Sequence, residues 1–414
     1  MRYKENKLNI RIKLLILTYY WPPLGGPGSL RPVKFSKHLS KFGVDPIILT
    51  RKNIAYHSID NKLGDEVKNL KIIKTESPDP ARLLYLMGMR IYHPRLWQRS
   101  IKQAINFPDH KLPWFPFAYN AGSKIDFDSI FVTAPPFSSF ITGYYLAKKT
   151  GKPLIIDFRD AWLEFPFMPY KGKIKKKFVS YWEKKLTDFA SLIITVDENI
   201  RNTLVEKYPQ ILDKIFVIPN GYDPDDFVIT KKPDIFTISY LGTIREERNP
   251  INFLNGINEL IEKGKIQKDD IKVKFIGHIE DYYLNKIKQY KFTDILGHLP
   301  YCRAIKEFSS SHIGLMITTG STYFFPSRQN EYLASGLPII VCGKSKGIHL
   351  LEAAFKKGYP GWIYEYNDIK GSKNKIYDIY QNFRKGKTIQ GKTPYKKYTR
   401  ENLTKKLVEL IKKI

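Results

Sequence analysis

The sequence predicts an α/β protein with two doubly wound domains that face a cleft. Its 414 residues are more than one compact core usually holds, so two or three domains are expected. Short apolar runs alternate along the chain with segments whose apolar residues recur at helical spacing. This alternation restarts after the polar, proline-containing segment Asp223–Asp234. That segment is therefore interpreted as the link between the two domains.

The first half of the chain begins with a βαβ unit. The apolar run Ile12–Thr18 predicts a strand, Pro22–Gly28 a loop, Ser29–Phe42 a helix and Asp45–Thr50 a second strand. Ala81–Ala121 is rich in aromatic residues and proline without a clear period, and it is interpreted as an insertion. The remaining predicted elements are strands at Ser129–Thr133, Pro153–Phe158, Ser191–Val196 and Ile215–Ile218, and helices at Ser138–Lys149 and Phe178–Phe189.

The second half repeats the alternation and ends in an amphipathic helix, Arg400–Ile414. The expected domains are residues 1–228 and residues 229–398, with residues 399–414 packing back on the first domain. The predicted strands are Phe236–Leu241, Ile271–Gly277, Ile313–Ile317 and Pro338–Cys342, and the predicted helices are Pro250–Lys263, Glu280–Tyr290 and Asn330–Ser335.

The formal net charge of +29 indicates an anionic partner. A membrane surface or a phosphorylated small molecule fits this charge, and a solvated lysine-rich surface without a partner is the alternative. The sequence has no zinc-finger spacing and no basic-leucine heptad run, so nucleic acid is not expected as a partner. The only cysteines, Cys302 and Cys342, exclude a disulfide framework. We also predict no transmembrane helix and no signal peptide, and therefore a cytoplasmic protein.

The loop after the first predicted strand contains Gly25 and Gly26. Glycines let a ligand approach the backbone, and the helix that follows begins with free N–H groups. Arg31 stands where a dinucleotide-binding loop has its third glycine, and the second strand ends near Arg51 rather than in an acid. A nicotinamide cofactor is therefore not favoured. A tight strand–helix turn without a ligand is the alternative.

The strand predicted at Pro153–Phe158 leads into the charged sequence D-F-R-D-A-W, residues 157–162. Ligands of open α/β sheets bind beyond the carboxyl ends of the strands. Two acids beside an arginine suit general acid–base catalysis or hydrogen bonds to sugar hydroxyls. The alternative is an ion pair that fastens a loop, especially for Asp157.

Two arginines follow the first strand of the second half. Residues 242–250 contain Arg245 and Arg248, and the planar fork of arginine suits bidentate contact with phosphate. Surface pairing of these arginines with Glu246 and Glu247 is the alternative.

A third arginine precedes a predicted helix start in residues 325–336. Arg328 lies three residues before Glu331. The pair combines an arginine that can bind phosphate with a carboxylate that can accept hydrogen bonds from ribose hydroxyls. The same spacing also occurs in many ordinary helices.

In this order, the segments resemble glycosyltransferase family 4, whose members have the two-domain GT-B fold. The resemblance covers nearly the whole chain, and the D-F-R-D-x-W strand end is similar to that of one subgroup. The segments that carry the resemblance are Tyr19–Gly28, Asp157–Trp162, Ile218–Asp223, Gly242–Pro250 and Pro326–Pro338.

The resemblance implies a hexosyltransferase-type enzyme that uses a nucleotide-diphosphate sugar in cell-surface polysaccharide synthesis. Transfer would usually retain the anomeric configuration. The donor would bind mainly to the second domain, and a glycan or lipid-linked acceptor mainly to the first, against the variable loops Ala81–Ala121 and Pro166–Lys177. The nucleotide sugar is a substrate, so no cofactor is expected. The sequence also lacks an acidic pair typical of a divalent-metal site, which predicts a metal-independent reaction.

The matching motifs assign the family's functional residues to positions in this sequence. Arg328 takes the place of the usual diphosphate-binding lysine, and Glu331 that of the carboxylate that holds the ribose. The implied catalytic residues are Asp160, Arg248 and Arg328. The implied donor-binding residues are Gly25, Gly26, Gly242, Thr243, Arg245, Arg248, Arg328 and Glu331, and the implied acceptor-side residues are Arg159, Asp160 and Trp162.

Two positions depart from the family pattern. Many members have a His-Asp pair, and Asp160 lies nearest to its position, but the histidine is absent. Tyr323 stands where many members have a glutamate. A nucleotide-sugar epimerase of the same fold and a non-catalytic glycan-assembly subunit therefore remain as alternatives.

A basic segment precedes the predicted helix Phe178–Phe189. Next to it, the apolar run Phe165–Tyr170 and the helix's own apolar residues suit a lipid interface. We predict salt-sensitive, peripheral binding to an anionic membrane, such as the inner face of the plasma membrane. The alternative is that the apolar residues face the core and the lysines are merely solvated. The predicted patch consists of Lys171, Lys173, Lys175, Lys176 and Lys177.

Overall fold

The computed structural model describes residues 11–56, 58–90, 108–164, 172–227, 231–318, 328–387, 389–391 and 396–414. The chain divides into two compact units. The first consists of Met1–Pro219 with Arg400–Ile414, and the second of Asn220–Thr399. The sequence placed these divisions after residues 228 and 398.

The first unit is built on a seven-stranded parallel sheet with the strand order β3-β2-β1-β4-β5-β6-β7. Its central strands are nearly continuous apolar runs because both faces of the sheet are covered. The strands are β1 Ile12–Leu17, β2 Val44–Arg51, β3 Lys71–Thr75, β4 Ser129–Ala134, β5 Leu154–Phe158, β6 Leu192–Thr195 and β7 Ile215–Val217.

Helices connect these strands. The first helix begins with a proline, whose fixed φ suits that position. The helices are α1 Pro27–Leu39, α2 Asn61–Asp65, α3 Pro80–Leu86, α4 Phe115–Gly122, α5 Ser138–Thr150, α6 Lys173–Phe189 and α7 Glu198–Lys207. The apolar sides of α4, α5, α6 and α7 pack with the sheet into one core.

The second unit repeats the plan with a six-stranded parallel sheet in the order β10-β9-β8-β11-β12-β13. Its strands are β8 Phe236–Leu241, β9 Ile271–Ile276, β10 Thr293–Gly297, β11 Ile313–Ile317, β12 Ile339–Cys342 and β13 Gly361–Tyr364. Its helices are α8 Ile251–Glu262, α9 Asp281–Ile287, α10 Tyr301–Ser309, α11 Gln329–Ala334, α12 His349–Lys356 and α13 Ile369–Arg384.

The final helix, α14 Arg400–Ile411, belongs to the first unit, where it packs against α1. Its inward residues include Leu403 and Leu407, both buried. No helix in the described ranges is long and apolar enough to cross a membrane.

The order of each sheet reverses between two central neighbours, β1 and β4 in the first unit and β8 and β11 in the second. Chain connections on the two sides of such a point run away from each other, which leaves a crevice outside the carboxyl ends of the two strands. Residues 25 and 26 follow β1, and residues 242 and 243 follow β8. Each unit therefore places a predicted glycine segment at its own switch point.

Two expectations about connecting segments need correction. Asp223 and Asp226, expected in a polar link, are buried, and the short helix Pro224–Asp226 lies in the second unit. The expected insertion Ala81–Ala121 contains most of α3 and α4, while its residues 91–107 lie outside the described ranges.

Candidate active site

The switch point of the second unit is held by a tyrosine from α11. The hydroxyl of Tyr332 accepts a hydrogen bond from Leu241 N at 3.0 Å and donates one to Leu315 O at 2.6 Å. It therefore links α11 to both central strands, β8 and β11. The loop that follows β8 is equally constrained, because a Cβ on Gly277 would lie 2.0 Å from the carbonyl oxygen of Gly242. Only glycine fits at position 277.

Three arginines that the sequence singled out separately meet around the hydroxyl of Tyr240. Burial raises the pKa of Tyr240, while the charges of Arg248, Arg328 and Arg245 and a hydrogen bond from Arg248 oppose that rise. The Tyr240 hydroxyl itself donates to Thr243 O at 3.1 Å. The structure thus brings residues 243, 245, 248 and 328 together at one strand end.

Arg328 has spare hydrogen-bonding capacity within this cluster. Its Nη1 atom is buried and has no hydrogen-bond partner in the part of the chain that the structure describes. By contrast, Arg245 forms an ion pair with Glu247, with Nε 3.2 Å from Oε2. The surface pairing that was the alternative for this segment is thus observed for Arg245.

Glu331 lies in the first turn of α11, close along the chain to Arg328, and is only 3% exposed. The start of this helix is fixed by Gln329, which donates to Gly347 O at 2.7 Å. The cluster thus combines several guanidinium donors with one buried carboxylate. Such a donor set suits an anion with hydroxyl groups nearby rather than a metal cation.

In the first unit, the glycine loop is explained largely by packing. Gly26 has a φ of 91° where it precedes α1, in a region that favours glycine. A Cβ on Gly25 would lie 2.6 Å from the hydroxyl oxygen of Ser58. These contacts support the tight-turn alternative, and the backbone role of both glycines toward a diphosphate stays a prediction.

The acid at the end of β5 is part of a buried ion pair. Arg31 donates to both carboxylate oxygens of Asp157, at 2.7 and 2.9 Å, and Thr133 donates to the same carboxylate at 2.7 Å. Arg31 also donates to Ile218 O at 2.9 Å. This is the loop-fastening pair that the sequence left as an alternative for Asp157, and the arginine that replaces the third glycine supplies its partner.

Two predicted acceptor-side residues lie in the scaffold. Arg159 donates to Gly28 O at 2.6 Å and to Ala134 O at 3.2 Å, so it ties together the loops after β1 and β4. Trp162 is fully buried and stacks on Phe137, with ring centroids 5.1 Å apart. A side chain without exposed surface cannot contact an acceptor directly, so any effect of Trp162 on acceptor binding passes through its neighbours.

Asp160 differs from its neighbours because it forms no hydrogen bond within the described residues. Its pKa rises to about 7, mainly because of burial; the Arg159 cation opposes the rise and the Asp197 carboxylate adds to it. Asp197 follows the neighbouring strand β6 and caps α7 by accepting from Ile200 N at 2.8 Å. The sequence analysis missed Asp197, although its place after a predicted strand was a usable signal.

A second feature missed from the sequence fastens the segment after Asp160. Glu183 on α6 is fully buried and accepts from Leu163 N at 3.2 Å and from Lys207 Nζ at 3.1 Å. Lys207 also pairs with Glu164. Because α6 and α7 each contribute one charge, this network fixes the loop to both helices.

The predicted membrane patch is partly corrected. Lys173, Lys176 and Lys177 are exposed at the start of α6, whereas Lys171 and the apolar run 165–170 lie outside the described ranges. Lys175 is half-buried. The helix residues expected at the lipid interface have other positions: Val179, Trp182 and Leu186 are buried in the core, and Phe178 packs against it.

One sequence comparison matches a little under half of the chain to a known family. Residues 33–226 match the family model described as Glycosyltransferase Family 4. This match supports the family resemblance, whereas the D-F-R-D-x-W subgroup stays a prediction. No curated protein matches the chain.

Solved structures match the fold over nearly the whole chain. Anabaena Alr3699/HepE in complex with UDP and glucose has a TM-score of 0.65 at 12% identity, covering 98% of this chain and 100% of that one. A glycosyltransferase from Rickettsia africae has a TM-score of 0.65 at 14% identity, with 97% and 98% covered. UDP-GlcNAc 2-epimerase from Methanocaldococcus jannaschii has a TM-score of 0.54 at 15% identity, covering 97% of this chain and 100% of that one. The predicted GT-B fold of two Rossmann-like domains is thereby confirmed.

Proposed function

We propose that this protein is a glycosyltransferase that transfers a hexose from a nucleotide-diphosphate sugar to a glycan or lipid-linked acceptor. The observation that carries the proposal is the arginine cluster at the β8 switch point, where Arg328 has a buried donor without a hydrogen-bond partner among the described residues. The Anabaena relative was crystallised with UDP, so UDP-sugars are the first donors to test. Cell-surface polysaccharide synthesis in the cytoplasm is the setting that we propose for this activity.

In this proposal the cluster stabilises the leaving group. Negative charge develops on the nucleotide diphosphate as the anomeric bond breaks, and fixed cations can stabilise it without reorganising. Arg328 and Arg248 would contact the diphosphate directly, with Arg245 as a helper. The backbone of Gly242 and Thr243 would approach the phosphates, and Glu331 would accept hydrogen bonds from the ribose. Because these cations neutralise the leaving group, we propose a metal-independent reaction. Retention of configuration is proposed from the family resemblance.

The first unit would bind the acceptor near Asp160. Its pKa of about 7 lets this carboxyl group hold or accept a proton near neutral pH. Arg159 and Trp162 would act as positioning residues, because Arg159 is anchored to Gly28 O at the start of α1 and Trp162 stacks on Phe137. Gly25 and Gly26 would let the donor diphosphate approach the backbone.

Two other functions remain candidates. The structural similarity to UDP-GlcNAc 2-epimerases favours an epimerase as the second enzyme activity. The missing histidine and Tyr323 favour a non-catalytic glycan-assembly subunit.

Product analysis separates these functions. Purified protein is incubated with a panel of UDP-sugars, first alone and then with lipid-diphosphate-linked sugars as acceptors. Transfer to an acceptor, together with release of UDP, supports the proposal. Epimerised donor without an acceptor supports the epimerase instead. Binding of UDP without any conversion of the panel would favour the non-catalytic subunit, and failure to bind any nucleotide diphosphate would refute the site assignment.

A further inference from the structure

The outer surface of α4, α5 and α6 in the first unit has an unusual number of exposed apolar side chains. On α6, Ile174 is 86% exposed and Tyr181 is 56% exposed. On α5, Tyr145 is 39% exposed, and Phe117 on α4 is also exposed. Soluble surfaces tolerate scattered apolar residues, but a contiguous group indicates a contact surface.

Ring contacts connect the exposed tyrosines of this group across the helices. The Tyr145 ring lies 5.5 Å from Phe115 on α4 and 6.0 Å from Trp182 on α6, measured between centroids. Trp182 in turn lies 5.9 Å from Tyr181. The aromatic row therefore crosses all three helices, and its buried members hold the exposed ones in place.

Lysines surround the same row. Lys177, Tyr181 and Lys184 follow Ile174 at helical spacing, so the four residues lie on the outward side of α6. Lys185 donates to the Tyr181 hydroxyl at 3.0 Å and lies about 5 Å from the Trp182 ring centroid. Lys177 forms no ion pair within the described residues, whereas Lys184 pairs with Asp188 at 2.5 Å. We define the aromatic–lysine face as Tyr145, Ile174, Lys177, Tyr181, Lys184 and Lys185.

We propose that the aromatic–lysine face docks on an anionic lipid bilayer. Tyrosine and tryptophan suit the boundary between headgroups and acyl chains, because each has an apolar body and a polar tip. Lysines beside them meet anionic headgroups, and Ile174 adds an apolar side chain that has no packing role in the protein core. The face differs from the lysine cluster predicted from sequence, since its apolar part comes from outward residues of two helices, α5 and α6. It is independent of the arginine cluster.

The combination of charged and apolar residues in the face favours a bilayer over other binding partners. A glycan could stack on exposed tyrosines, but neutral sugars would gain nothing from the lysines. A soluble polyanion would use the lysines, but it would gain little from Ile174. Only a surface with both anionic headgroups and an apolar interior uses every member of the face.

Vesicle co-sedimentation of the full-length protein tests the proposal. The vesicles contain phosphatidylcholine alone or phosphatidylcholine with phosphatidylglycerol, each from low to physiological salt. We expect binding only to the anionic vesicles, and weaker binding as salt rises. Substitution of Lys177, Lys184 and Lys185 by Gln should lower the partition coefficient by about a hundredfold. The double variant Ile174→Ser, Tyr181→Ser should lower it by about tenfold.

Matched controls exclude a general effect of the high positive charge. Lys405 on the last helix and Lys412 and Lys413 directly after it are replaced by Gln, and exposed Tyr282 of the second unit is replaced by Ser. Both control variants should bind vesicles like the parent. Heparin binding is measured in parallel, and the Ile174→Ser, Tyr181→Ser variant should leave it unchanged. Equal loss of heparin and vesicle binding in that variant, or equal loss in the control variants, would overturn the proposal.

Discussion

Replacing Arg328 separates binding from folding. In the unliganded protein its buried Nη1 has no hydrogen-bond partner among the described residues, and a buried polar group without a partner costs about 1–3 kcal/mol. Arg328→Ala removes this cost together with some packing. We therefore expect the free energy of unfolding to fall by less than about 1 kcal/mol.

The same substitution should strongly weaken nucleotide-diphosphate binding. Truncating one partner of a buried, hydrogen-bonded charge pair costs about 2–4 kcal/mol, which corresponds to about a 30- to 700-fold rise in the Kd. Isothermal titration calorimetry with UDP measures the affinity, and thermal unfolding without ligand measures stability. Arg328→Lys should fall between the parent and the alanine variant, since lysine keeps the charge but loses the planar fork.

Arg384→Ala is the matched control, because Arg384 is an exposed arginine of the same unit that pairs with Asp270 at 2.9 Å. It should leave the UDP affinity unchanged. If Arg328→Ala binds UDP within about threefold of the parent, the reasoning is refuted, because a truncated contact to a diphosphate must lose far more. Collapse of the unliganded fold would also contradict it, since the spare donor would then have a structural role.

Four other predictions follow from the same geometry. Glu331→Gln should raise the Kd for UDP about tenfold, measured by calorimetry, because it removes a charged acceptor from the ribose; equal affinities would exclude this contact. Transfer activity should survive EDTA, and a loss that Mg²⁺ restores would contradict the metal-independent reaction. If Asp160 accepts a proton from the acceptor, kcat/KM should rise with pH through about 7, and Asp160→Asn should lack this limb. Burial, with a smaller effect of Lys232, lowers the pKa of His312 to about 4. The unfolded chain therefore binds the proton more tightly than the folded one. The contribution of His312 to the free energy of unfolding is complete above pH 6.5 and falls by about 3 kcal/mol as the pH drops to 4. Urea unfolding at several pH values checks this, and the decline should be absent in His312→Asn.

Prediction from sequence succeeded where strands are buried on both faces. The apolar runs of β1, β8 and β11 predict strands clearly, because parallel strands that are covered on both faces need apolar side chains on both sides. The three strands that were missed, β3, β10 and β13, lie at edges of their sheets and are only partly buried. The sequences of β3 and β10 mix charged or polar residues with apolar ones, and β13 is a run of only four residues, so neither a long apolar run nor a clear alternation reveals them.

The candidate site was predicted only as separate pieces. Residue types and strand ends identified Arg245, Arg248 and Arg328, but only the fold shows that all three lie close enough to Tyr240 to oppose the rise in its pKa. Sequence spacing also could not show that Arg31, far along the chain from Asp157, neutralises it. Charges at strand ends look alike in sequence whether they bind a ligand or fasten a loop, because both roles use the same functional groups.

The distribution of unsatisfied groups distinguishes those roles. In the first unit, Asp157 is neutralised by Arg31, and Arg159 is satisfied by backbone carbonyls. Asp160 alone among these strand-end charges forms no hydrogen bond within the described residues, and burial raises its pKa. In the second unit, Arg245 pairs with Glu247 while Arg328 keeps a buried donor without a described partner. A folded chain normally satisfies its buried polar groups, so a strand-end charge that lacks a described hydrogen-bond partner is a candidate for contact with a ligand. Asp160 and Arg328 are therefore the two residues at which acceptor and donor chemistry should first be sought.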